Sequence, residues 1–135
     1  MDIKFEDLKA KFGKKAKEYA GDKKKTQKLV NDAMKKAKRS KKEGSFEEIW
    51  DNIQLLFQLA KDWSTAQYTQ IPIGSMIAII MGLLYFVSPI DFVPDFLPGG
   101  LIDDAFVLGL IIRQIKTDLY KYKEWKEIST KEIID

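Results

Sequence analysis

From Ile71 to Val87 the chain runs 17 residues without a charge, and only Ser75 and Tyr85 bring polar side-chain atoms to that stretch. The uncharged window is wider still, from Trp63 to Ile90. Any fold for this chain has to hide that segment. A helix that spans a bilayer needs about 20 apolar residues for about 30 Å of hydrocarbon, so Ile71–Val87 lies at the low edge of the range. Apolar residues nearly all round are also the mark of the central helix of a bundle. Pro72 suits the first turn of a helix, where its missing N–H costs nothing.

The flanking segments read as amphipathic helices. Residues 3–20 space Ile3, Phe5, Leu8, Phe12, Ala16 and Tyr19 at helical intervals among lysines. Gly21 and Asp22 then supply a stop and a new N-cap. Residues 23–42 carry a thin stripe of Leu29, Val30, Ala33, Met34 and Ala37, weak without a partner surface. Ser45-Phe46-Glu47-Glu48 has the form of a capping box. It opens a helix whose Ile49, Trp50, Ile53, Leu56, Phe57, Ala60 and Trp63 predict core packing. A last helical arm runs from Leu101 to about Ile115 and continues through Asp118, Leu119, Tyr122 and Trp125, after which fraying is expected. Gly74, Ala78 and Gly82 recur every fourth residue, as do Ala105 and Gly109, and small residues so spaced let helices approach closely. No strand pattern and no internal repeat is visible. The expected fold is all-α: a small helical bundle around an apolar helical hairpin joined by a Pro/Asp/Gly-rich loop. Its expected division is a basic helical region, 1–44, and a helical body, 45–135, with the hairpin at about 68–125.

Composition narrows the chemistry. Among 135 residues there is no cysteine and no histidine. That excludes Ser-His-Asp, Cys-His and His- or Cys-ligated zinc chemistry, and makes an enzyme the less favoured class. Charge is uneven. Residues 1–43 hold 16 of the 23 Lys and Arg against 7 acids, a net of +9, inside a chain of net +3. Such an arm suits an anionic membrane surface or an acidic protein partner, or is simply a solvated lysine-rich face. Nucleic acid is disfavoured, because the arm has one Arg among many Lys and no interleaved aromatic pattern. The first thirty residues lack an apolar leader segment, so a cytoplasmic location is expected. Oligomeric state is left open.

Between the apolar arms lies Tyr85-Phe86-Val87-Ser88-Pro89-Ile90-Asp91-Phe92-Val93-Pro94-Asp95-Phe96-Leu97-Pro98-Gly99-Gly100-Leu101-Ile102-Asp103-Asp104. Ser88-Pro89-Ile90-Asp91 has an N-cap, a Pro at N1 and an acid at N3, and would start a short helical turn. Asp103 and Asp104 would stand in the first turn of the next helix, where negative charge meets the positive dipole end. On that reading the aspartates are caps. The alternative is convergence: a tight hairpin would gather Asp91, Asp95, Asp103 and Asp104, and four carboxylates need a cation or strong donors. Oxygen ligands without histidine suit Mg²⁺ or Ca²⁺, although no EF-hand spacing is present. A pairing with Lys or Arg, such as Arg113, would serve equally. No other cofactor is indicated.

The run Tyr85-x-x-Ser88-Pro89-Ile90-Asp91-x-x-Pro94-Asp95-x-x-Pro98, followed by Asp103-Asp104, resembles the signature of the YkvA-like proteins, the DUF1232 domain. The resemblance covers about Tyr68 to Trp125. It implies a small helical hairpin domain, often regarded as membrane-associated, and no reaction. Family members often follow the last proline with a hydrophobic residue, Gly and an aromatic, where this chain has Gly99-Gly100-Leu101-Ile102.

A complete hairpin across a bilayer is disfavoured. Only eight uncharged residues separate Asp104 from Arg113, which is about 12 Å of helix. Each buried aspartate would add about 2.5 kcal/mol or more. Two readings remain. The leading one is a membrane-associated module held by the basic arm and the apolar hairpin. The other is a soluble bundle that acts as a protein-interaction module.

Overall fold

The computed structural model describes residues 5–42, 50–87 and 104–134, and those residues form six helices and no strand. They are α1 (Phe5–Ala20), α2 (Lys23–Lys42), α3 (Trp50–Ser64), α4 (Ile73–Val87), α5 (Asp104–Gln114) and α6 (Lys116–Ile134). The all-α bundle expected from the hydrophobic periodicity is what forms.

α4 is the hub. It packs most extensively on α1, then on α5 and α2, and touches α3 as well. Ten of its 15 residues are buried, among them Ile79, Ile80, Met81, Leu83, Leu84, Tyr85 and Phe86. A helix apolar all round has to be surrounded, and four neighbours supply the cover. α1 contributes Leu8, Phe12 and Ala16, and α2 contributes Leu29, Val30, Ala33 and Ala37, all buried. The thin alanine stripe of α2 thus has its partner surface in α3 and α4.

The turn between α1 and α2 forms as its residues dictate. The Gly21 N–H donates to the Lys17 and Glu18 carbonyls, and Asp22 Oδ1 accepts from the Lys25 N–H at 3.2 Å. Thr26, fully buried, closes the joint by donating its hydroxyl to the Tyr19 carbonyl at 2.7 Å. α3 ends in a Schellman arrangement: Ala66 N–H to Trp63 O at 3.1 Å and Gln67 N–H to Asp62 O at 2.7 Å. Ala66 takes the left-handed position of that motif, at φ 63°.

The small-residue stripe brings two helices together at Gly82. A Cβ at Gly82 would stand 2.7 Å from Ile111 Cγ1, so α4 and α5 meet there closely enough to require glycine. Gly74 and Gly109 have nothing within 4 Å of such an atom, so they do not share that crossing. The last arm is two helices rather than one. Hydrogen bonds from Ile115 N–H to Ile111 O and from Leu119 N–H to Ile115 O, both 3.0 Å, carry the backbone across the break. α6 then continues to Ile134 rather than fraying after Trp125. The capping box at 45–48 lies outside the described residues.

Candidate functional site

Most of the Pro/Asp motif lies outside the described residues: Ser88, Pro89, Asp91, Pro94, Asp95, Pro98 and Asp103. Asp104 is the first residue of α5. Tyr85, the first residue of the motif, is fully buried in the core with Phe86. Among the described residues no group of acids is arranged to hold a metal ion.

The lysines of α1 and α2 serve in more than one way. Two of them, Lys23 and Lys36, close helix ends. Lys36 Nζ donates to the Phe86 carbonyl at 2.6 Å and lies 4.9 Å over the Phe86 ring, at the C-terminus of α4. Lys23 Nζ donates to the Trp63 carbonyl at 3.3 Å and stands 4.7 Å over the Trp63 ring, while Gln27 Nε2 donates to the Ser64 carbonyl at 2.9 Å. Both cations meet the negative end of a helix dipole and orphan carbonyls at once. The sequence gives no local signal for these caps, since each lies 37 to 50 residues from its acceptor.

Others are solvent-exposed and cap no helix end among the described residues. On α2, Lys24, Lys28, Lys35 and Lys38 are exposed and fall within one narrow sector of the helix. They stand opposite the buried Thr26, Val30, Ala33 and Ala37. α2 therefore has a core face and a cationic face, with its structural lysines, Lys23 and Lys36, set apart from the latter. On α1, Lys9, Lys11, Lys14, Lys15 and Lys17 are exposed. At the start of α4, Pro72, Ile73 and Gly74 are exposed, and Ile73 keeps 56% of its surface open to solvent.

A polar clasp joins α3, α4 and α6. The Tyr122 hydroxyl donates to Asp62 Oδ2 at 2.5 Å, and Lys126 Nζ lies 3.6 Å from the same oxygen. Ser75 Oγ donates to Asp118 Oδ2, which ties the first turn of α4 to the first turn of α6. Tyr68 packs edge-on against Tyr122 at 5.1 Å and against Trp125 at 5.0 Å. Burial, then the hydrogen bond and charge of Asp62, hold the Tyr122 phenol far above the usual tyrosine range. Burial, and to a lesser degree the charge of Asp118, raise Tyr68. Both phenols are kept protonated, which suits Tyr122 as the hydrogen-bond donor that fastens α6 to α3 and does not suit a general base.

Three comparisons bear on these features. Residues 75–110, from the first turn of α4 into α5, match the family model described as "Protein of unknown function (DUF1232)". Over 76 residues the chain is 38% identical to "Uncharacterized membrane protein YkvA" of Bacillus subtilis (strain 168), a stretch covering 56% of this chain and 72% of that relative. No solved structure matches the chain.

Proposed function

Because the chain belongs to the DUF1232 family of YkvA-like proteins, we propose that it is a non-enzymatic module of an anionic membrane surface, seated peripherally on the cytoplasmic face. The observation that carries this reading is the cationic face of α2: Lys24, Lys28, Lys35 and Lys38 in one exposed sector, opposite the core. Each lysine near an anionic bilayer contributes about 1 kcal/mol, so four in register suffice for reversible attachment. The exposed Ile73 and Pro72 at the first turn of α4 add a small apolar contact. The Bacillus subtilis relative, named as a membrane protein, supports the same reading. Among the described residues no helix is long and apolar enough to cross a membrane. With α4 covered by four neighbours, attachment by charge fits the fold better than insertion of that helix.

The test is co-sedimentation with vesicles of phosphatidylcholine, with and without phosphatidylglycerol. The expected result is binding only to the anionic vesicles, reversed by salt. Replacing Lys24, Lys28, Lys35 and Lys38 together by Glu is expected to weaken it at least ~tenfold. Lys23 and Lys36 are spared because their caps belong to the fold. Unchanged binding by the variant overturns the proposal, as does wild-type protein that stays in the supernatant with anionic vesicles.

A further inference from the structure

A surface groove of about 380 Å³ runs between α1 and α4. Two kinds of side chain line it. Phe5, Ile77 and Met81 give it an apolar wall, and Lys9, Lys14 and Lys17 bring three exposed ammonium groups. The groove exists because two glycines fall where the helices would otherwise fill it. On α1 the ridge Phe5, Lys9, Gly13, Lys17 repeats every fourth residue, and Gly13 is a gap in it. On α4 a Cβ at Gly74 would project into open space.

We propose that this groove binds one anionic phospholipid, its headgroup phosphate on Lys9, Lys14 and Lys17 and an acyl segment along Phe5, Ile77 and Met81. This rests on the membrane reading above and names the lipid contact within it. Three lysines on one groove, none ion-paired with a described residue, call for negative charge. A free phosphate would make no use of the apolar wall, and a neutral lipid would make no use of the lysines. An acidic peptide would find ammonium groups here but no sheet edge to pair its backbone. The volume is in the range of small-molecule sites, at its lower end, as befits one chain segment rather than a whole lipid. Ile73, exposed beside Gly74, continues the apolar surface outward.

The probe is dihexanoyl-phosphatidylglycerol kept below its micelle concentration, with the phosphatidylcholine analogue as control, followed through the amide resonances of Gly13 and Gly74. Saturable shifts of both glycines with the anionic lipid, at least ~tenfold weaker with the neutral one, are expected. Gly74→Leu fills the groove from a position with free space and is expected to lose that binding with its thermal midpoint kept. Lys9→Gln, Lys14→Gln and Lys17→Gln together give a second variant, expected to lose the preference for the anionic lipid. Wild-type protein that sediments with anionic vesicles but shows no saturable glycine shifts would overturn the groove and leave the α2 reading standing. Saturable shifts without any vesicle binding would support the groove and end the membrane reading. Equal shifts with inorganic phosphate alone, or with the neutral lipid, would also overturn it, as would full affinity retained by Gly74→Leu.

Discussion

Ala66 carries a strain that its position makes easy to remove. At φ 63° it fills the left-handed site of the α3 terminus, which glycine occupies without steric penalty. Ala66→Gly is expected to raise stability by about 0.5–1 kcal/mol, part of the relief being returned to the freer unfolded chain. Chemical denaturation would read it as a higher midpoint at constant slope. Gly82 is the opposite case. A methyl group there would press on Ile111 Cγ1 at 2.7 Å. Gly82→Ala is expected to lose about 1–2 kcal/mol, overpacking outweighing the gain in helix propensity. Ile111→Ala is destabilising by itself, because Ile111 is fully buried, but it should cost less in the Gly82→Ala background than in the wild type, and a double-mutant cycle that finds the two changes strictly additive would show that this contact does not limit the helix approach.

At the scale of elements, the clasp between α3 and α6 has a pH signature. Tyr122 is raised above its ordinary 10.0, so the folded chain holds a proton that the unfolded chain releases. The stability this provides is whole below about pH 10 and is lost as pH climbs above it. Tyr68 acts in the same direction. The thermal midpoint of the wild-type protein is therefore expected to fall above about pH 10 more steeply than that of Tyr122→Phe, which at neutral pH is less stable by about 1 kcal/mol. Parallel profiles for the two proteins would mean that the Asp62 hydrogen bond does not govern the alkaline limb. The same feature bears on biochemical fractionation. An alkaline carbonate wash works above about pH 10, where the stability that these phenols provide is already falling, so salt is the cleaner criterion for peripheral attachment.

The whole molecule shows which layers of information were local. Helix identity was legible because apolar spacing and caps act within a few residues. Gly21 and Asp22 end one helix and start the next by contacts three or four residues long. Gly82 could be flagged as a close approach, but its partner Ile111 could not be told from Ala105 or Gly109 without the packing angle. The pairing of α1 with α4, the lysine and glutamine caps and the Asp62–Tyr122 bond join residues at least 37 positions apart, and no periodicity encodes them. The groove is of the same kind. Its lysines read as part of an undivided basic arm until Gly13 and Gly74 are seen to face one gap. Of the four aspartates of the motif, Asp104 opens α5, and Asp91, Asp95 and Asp103 lie outside the described residues.

The pairing of α1 with α4 also sets an order of events during synthesis. The helix that packs most extensively on α4 is made before it, as are α2 and α3, so the most apolar stretch of the chain leaves the ribosome with much of its cover already waiting. Until then α1 lacks its main partner, and α2 has only α3 and α1 to pack on. An early pause or an amino-terminal truncation would reverse the advantage, because α4 would emerge with no partner and turn its apolar surface to other chains.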